Sequence, residues 1–206
     1  MENSKHAFAP RISLALSGGA ARGAFHIGAL QSLYKHNIDI VAISGTSIGA
    51  VVGAAYCGGK KPLEILDIFK SSEFKKMMKF SLSKDGFISM DATAPIISEL
   101  FTTPRIESLN IPLSVTTTDV THSKIKRFES GDIFPIVTAS SALVPLFQPI
   151  TYNNVKYIDG GVFDNLPTRP LQKYNTPILG INLHIAFPSQ SVYLENDTKM
   201  FQVEKS

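Results

Sequence analysis

The stretch Ile40–Gly59 constrains this 206-residue chain more than any other. It runs twenty residues without a charge, long enough as one helix to cross a bilayer. It also carries glycines at 45, 49, 53, 58 and 59, with Ser44, Thr46 and Ser47 near its middle. A buried strand, a tight turn and a buried helix in series account for it better than a membrane span. The strand is expected over Asp39–Ser44. The helix is expected over Ser47–Cys57, where nearly every face is apolar.

The rest of the chain alternates in the same way. Ile12–Ser17 reads as a short buried strand ending at glycines. Helical spacing follows from Ala21 to about His36, through Phe25, Ala29, Leu30 and Leu33. Pro62 suits a helix first turn, and the pattern from Leu63 to Phe80 is helical. Asp91 is placed to cap a helix running to about Phe101. Leu113–Asp119 and Lys124–Phe128 read as strands around a turn at Thr121–Ser123. Ile133–Ser141 reads as a helix, Val155–Ile158 as a strand and Pro177–His184 as a late buried strand. This alternation predicts an α/β sandwich with a central, mostly parallel sheet. A single domain is expected over 1–206, with its core at about 10–185 and a polar tail over 186–206.

Composition removes several function classes. Hydrophobic residues make up 44% and charged residues 18%, which excludes a disordered chain. The single cysteine, Cys57, excludes an intramolecular disulfide framework and a multi-cysteine metal site. A net charge of +3 is too small to argue for nucleic acid. The histidines at 6, 26, 36, 122 and 184 lack zinc-like spacing, so no metal or cofactor is expected. Ile12–Ala21 resembles a signal core, but only Lys5 and Arg11 precede it, and Gly18-Gly19 interrupts it. A cytoplasmic protein is therefore expected, and the lone cysteine agrees.

Chemistry is concentrated at two glycine-rich turns. Gly45-Thr46-Ser47-Ile48-Gly49 lies between strand and helix, the context that a G-x-S-x-G nucleophile elbow requires. There the hydroxyl projects beside a helix N-terminus that favours developing negative charge. Ser17-Gly18-Gly19-Ala20-Ala21-Arg22-Gly23 also follows a strand and opens a helix. A dinucleotide fingerprint would need glycine where Ala20 stands, and a Walker loop would need Lys-Ser or Lys-Thr after its last glycine. With a serine elbow one strand later, an oxyanion hole of backbone N–H groups is the best reading.

A serine hydroxyl needs a base, and two candidates lie downstream. Asp159 opens Asp159-Gly160-Gly161, and His184 ends the late strand. The order Ser47, Asp159, His184 is that of an α/β-hydrolase triad. The alternative is a Ser–Asp dyad in which the carboxylate is itself the base.

Three motifs in order, Gly18–Gly23, Gly45–Gly49 and Asp159–Gly161, give the chain a resemblance to the patatin-like phospholipase family. Thr117-Thr118-Asp119, Ala139-Ser140-Ser141-Ala142 and Asp164-Asn165-Leu166-Pro167 are also similar to the family's text. The resemblance covers about residues 10–185. It implies a three-layer α/β/α fold, with Ser47 as nucleophile and Asp159 as base. It implies an oxyanion hole of amides at Gly18, Gly19 and Ala20, with Arg22 fixing the loop. Gly23, Gly45, Gly49, Gly160 and Gly161 would support the motifs, and His184 would be a bystander. The sequence departs from the family at Ala20, where many members carry a third glycine. The implied reaction is metal-free cleavage of a phospholipid or lysophospholipid ester through an acyl-enzyme; the alternative from a different class is a non-catalytic or regulatory lipid-binding module on the same fold, against which the intact motif residues count.

Two further features concern the lipid. Phe134, Leu143, Val144, Leu146 and Phe147 are candidate acyl-chain linings, although ordinary core packing is the simpler role for each. In Phe69–Lys84, five lysines interleave with Phe69, Phe74, Met77, Met78 and Phe80. That pattern fits either peripheral contact with an anionic membrane through Lys70–Lys84 or a core-packed helix with a solvated basic face. For His26, packing or a local hydrogen bond is expected. Cys57 is expected to act as a small buried hydrophobe.

Overall fold

The computed structural model describes residues 9–75 and 99–183, together with the backbone of 198–202. In chain order its elements are β1 (Arg11–Leu16), α1 (Gly23–Lys35), β2 (Asp39–Thr46), α2 (Ile48–Cys57) and α3 (Pro62–Lys70). There follow β3 (Leu113–Asp119), β4 (Lys124–Phe128), α4 (Ile133–Ser140), β5 (Ile150–Tyr152), β6 (Val155–Asp159), β7 (Ile178–Asn182) and β8 (Thr198–Gln202). Short 3-10 turns occupy Ala20–Arg22, Gly160–Val162 and Arg169–Tyr174, among others.

The strands form one mixed sheet in the order β5-β6-β3-β2-β1-β7-β8, with β4 also paired to β3. Strands β3, β2, β1, β7 and β8 run parallel, while β4, β5 and β6 supply the antiparallel pairings. The uncharged stretch divides as its glycines suggest, into the end of β2, a turn and α2. Among the described residues no helix is long and apolar enough to cross a membrane. The segment from 76 to 98, including most of the helix expected from Asp91, lies outside the described residues, as does His184.

Alternation along β1 sorts side chains between two layers. Leu14 and Leu16 join the main core with Ile43, Val115 and the helices, whereas Ala15 faces a smaller cluster with Ala42, Leu171 and Ile178. The small side chains on that second face let the Arg169–Tyr174 turn pack directly against the sheet. Helix α1 buries Gly23, His26, Ile27 and Leu30, one stripe at helical spacing. Helix α2 buries every residue but Tyr56, as a helix enclosed between sheet and neighbouring helices must. Pro62 opens α3, and the Lys61 N–H donates to Glu64 Oε2 at 2.7 Å.

One feature of the sheet determines the geometry of the site. β4 occupies one edge of β3 along Val115–Asp119. The opposite edge is shared: β2 pairs with it up to Thr46↔Thr116, and β6 pairs with it from Thr117↔Asp159 onward. Because β2 is parallel and β6 antiparallel to β3, their C-terminal ends meet. The residue after Thr46 is Ser47, so the sheet register brings Ser47 beside Asp159.

Candidate active site

Ser47 adopts φ 55° and ψ −127°, a left-handed φ in a non-glycine residue. Such backbone is uncommon and persists only where its surroundings enforce it. Here they do. The Ser47 N–H donates to Ser140 Oγ at 2.9 Å, and Ser140 Oγ donates to the Thr116 carbonyl at 2.6 Å. The Ser47 carbonyl accepts the Ala50 and Val51 N–H groups of α2. The turn also depends on close backbone packing. A Cβ at Gly49 would strike the Leu16 carbonyl and lie 2.7 Å from the Ser17 carbonyl oxygen, and one at Gly45 would lie 2.6 Å from the Gly49 carbonyl oxygen.

Asp159 ends β6 and is only 6% exposed. Its Oδ1 accepts the Gly161 N–H at 2.7 Å, and the sheet register sets the residue beside Ser47. Burial raises its pKa above the ordinary carboxylate value, and the influence of Ser47 and Gly161 beside it only partly opposes that. Its backbone is held by the Ala142 carbonyl, which accepts the Asp159 N–H, and by Thr118 Oγ1, which donates to the Asp159 carbonyl at 2.9 Å. A Cβ at Gly160 would strike the Thr116 carbonyl, so only glycine lets this turn lie against β3.

The glycine loop sits beside the elbow: a Cβ on Gly18 would lie 3.2 Å from Ser47 Cβ. Its amides are not equivalent. The Gly18 N–H donates to the Asn165 carbonyl at 3.1 Å, so it is already satisfied. A committed donor has no proton left to aim at a substrate oxygen, which leaves Gly19 and Ala20 of the expected set. Among the described residues the Gly19 and Ala20 amides carry no such bond. Arg22 bonds to the loop twice: its Nε donates to the Gly19 carbonyl at 3.2 Å and its N–H to the same oxygen at 3.1 Å. Ala20 has φ 48°, which explains why glycine suits this position. Gly23 lets α1 approach α2 and α3, since a Cβ there would lie 2.5 Å from Ile48 Cγ1 and 3.0 Å from Phe69.

Several supporting residues carried no individual signal in the sequence beyond their place in family-like text. Ser140 pins the elbow. The Asp164–Pro167 segment is stitched across the strand ends. The Asp164 carbonyl accepts Thr46 Oγ1–H at 2.9 Å, the Asn165 carbonyl accepts the Gly18 N–H, and the Pro167 carbonyl accepts Ser44 Oγ–H. Arg127 Nη2 pairs with Asp164 Oδ2 at 2.5 Å. His26 makes a local hydrogen bond, with Nε2 2.8 Å from the Ser17 carbonyl. Cys57 is fully buried, which raises its thiol pKa.

The apolar candidates divide. Leu143 and Val144 are not core; they are 44% and 48% exposed on the loop leading from Ser140, as are Val162 and Phe163, at 55% and 54%, just after Asp159. Phe134, Leu146 and Phe147 are half-buried. Phe69 and Phe74 stack at 4.3 Å, and Phe74 is buried, so the described start of the basic segment packs its aromatics inward. Lys76, Lys79 and Lys84 lie outside the described residues.

Residues 14–171 match the family described as patatin-like phospholipase. An uncharacterized NTE family protein of Mycobacterium tuberculosis is 31% identical over 172 residues, covering 82% of this chain and 48% of that protein. Lysophospholipase NTE1 of Debaryomyces hansenii is 33% identical over 175 residues, covering 79% of this chain and 11% of that protein. This chain thus spans about half the length of the first relative and a small part of the second. The crystal structure of VipD from Legionella pneumophila shares the fold, with a TM-score of 0.57 at 17% identity over 82% of this chain and 49% of that one.

Proposed function

The chain belongs to the patatin-like phospholipase family, and from that premise we propose that it is a serine hydrolase cleaving carboxylic esters of phospholipids or lysophospholipids through a Ser47–Asp159 dyad. The observation that carries this reading is the register of β2 and β6 on one edge of β3, which brings Ser47 beside the buried Asp159. A carboxylate with a raised pKa is a stronger base than an ordinary aspartate. Ser47 Oγ attacks the ester carbonyl carbon while Asp159 takes its proton. The carbonyl oxygen, now negative, is held by the Gly19 and Ala20 amides, aided by the N-terminus of α2. The C–O bond to the leaving alcohol then breaks, and Asp159 returns the proton to that oxygen. Water, deprotonated by Asp159, attacks the acyl-serine; the bond to Ser47 Oγ breaks, Asp159 returns the proton to that oxygen, and the fatty acid is released. No metal is needed for any step.

The exposed margin of Leu143, Val144, Val162 and Phe163 supports a long acyl chain as the group bound next to Ser47, because these side chains flank the residues that hold the dyad. The lysophospholipase name of the fungal relative agrees with that substrate class. A cytoplasmic protein meeting the membrane peripherally through the Lys70–Lys84 segment belongs to the same reading.

The test is hydrolysis of a short-chain nitrophenyl ester and of mixed phospholipid vesicles by the wild type, Ser47→Ala, Asp159→Asn and His184→Ala. The dyad requires the first two variants to lose about three or more orders of magnitude in kcat while His184→Ala retains activity. Comparable loss in a folded His184→Ala protein would replace the dyad by a triad.

A further inference from the structure

His26 is wholly buried in α1, has no role in the reaction proposed above, and leaves its Nδ1 without a hydrogen-bond partner. An imidazole in that position costs more to bury than an aliphatic side chain, so its one hydrogen bond needs an explanation. Nε2 lies 2.8 Å from the Ser17 carbonyl. A carbonyl can only accept, so Nε2 carries the proton and the ring is the neutral Nε2–H tautomer. Burial agrees with this, lowering the imidazole pKa to about 4.

The Ser17 carbonyl belongs to the first peptide of the glycine loop. It is also packed against α2, since a Cβ at Gly49 would lie 2.7 Å from it. The other end of that peptide is the Gly18 N–H, which donates to the Asn165 carbonyl. A trans peptide is planar, with its C=O and N–H opposed, so His26 and Asn165 hold this plane from both sides. The following two planes are held through their carbonyls alone. The Gly18 carbonyl accepts Ser17 Oγ–H at 2.9 Å, and the Gly19 carbonyl accepts both Arg22 donors. The N–H groups opposite those two carbonyls are those of Gly19 and Ala20.

We propose that His26 is a positioning residue for the oxyanion hole: by fixing the tilt of the Ser17–Gly18 peptide it sets the direction of the Gly19 and Ala20 amides. This inference rests on the hydrolase reading for its catalytic consequence, while its structural content stands apart from it.

The test compares His26→Gln, His26→Asn and His26→Phe. A glutamine Nε2 reaches the position of the imidazole Nε2; the asparagine amide falls short, and phenylalanine has no donor. Each variant is assayed for thermal stability, for kcat and KM on a soluble nitrophenyl ester, and for the amide resonances of Gly19 and Ala20. The expected result is a kcat loss of about 10²-fold in His26→Asn and His26→Phe, KM within about twofold, and His26→Gln close to wild type. The two amide resonances should shift in Asn and Phe and hold in Gln. Should Phe fail to fold, the Gln and Asn pair still decides the matter. A folded His26→Phe with wild-type kcat and unmoved resonances overturns the proposal, as does His26→Gln falling as far as Asn. Should the wild type hydrolyse no ester, the hydrolase reading fails separately, and the resonances alone show whether His26 orients the loop.

Discussion

Ser140 Oγ stands between Ser47 and the sheet, accepting the Ser47 N–H at 2.9 Å and donating to the Thr116 carbonyl at 2.6 Å. This single hydroxyl ties a strained turn to β3, the strand whose shared edge also positions Asp159. Ser140→Ala removes the acceptor of the Ser47 N–H and the hydroxyl that donates to the Thr116 carbonyl. It is expected to lower stability by about 1–3 kcal/mol and to lower kcat more than it raises KM. Unchanged kcat in a destabilised Ser140→Ala protein would show that the elbow holds its geometry without this bond.

In the proposed dyad, Asp159 sets stability against activity. Its native pKa lies above the unfolded value, so between the two the native state binds more protons than the unfolded state. Stability therefore falls as pH rises through that window. Asp159→Asn removes this cost. The variant should melt higher than wild type at pH 7, the difference shrinking as the pH falls through that window and vanishing below the unfolded aspartate value. In the wild type, kcat/KM should rise with pH on an acid limb lying above the ordinary aspartate range. A melting temperature at pH 7 below that of wild type would contradict the sign.

His26 titrates in the opposite sense. Its native pKa of about 4 lies below the ordinary 6.5, so the unfolded state binds the extra proton. The stability this contributes is complete above about pH 6.5 and is lost as pH falls toward 4. Chemical denaturation of wild type and His26→Gln across that range should show a steeper acid loss in wild type. Parallel curves would mean that His26 is not the group responsible.

Two glycines make a matched pair. A Cβ at Gly160 would collide with the Thr116 carbonyl, while one at Gly28, within α1, meets nothing within 4 Å. Gly28→Ala should stabilise by about 0.5–1 kcal/mol through helix propensity alone. Gly160→Ala should destabilise and displace Asp159, reducing kcat sharply. Calorimetry and ester hydrolysis on both variants check the contrast; a tolerated Gly160→Ala would mean that β6 can shift without moving its carboxylate.

The exposed apolar margin gives a substrate-length test. Leu143→Ser with Phe163→Ser is expected to reduce turnover of long-chain esters about tenfold or more while short-chain esters change little. Equal loss on both lengths would assign these side chains to folding rather than to acyl-chain contact.

Much of this protein follows from local pattern. The strand–elbow–helix series around Ser47, the buried stripe of α1 and the strands β1, β2, β3 and β4 are legible because periodicity and glycine placement act within a few residues. Strand β5, only three residues long, is too short to show a period. Strand β8, with Lys199 and Gln202, lies in the polar tail and shows no apolar pattern, yet its backbone completes the edge of the sheet beside β7. The pairing of Ser47 with Asp159, and the choice of which loop amides are left unbound, are decided only in three dimensions. They depend on β2 and β6 sharing one edge of β3 and on the Asn165 carbonyl reaching Gly18. A sequence records which groups can donate or accept; which of them meet depends on the register of strands far apart in the chain.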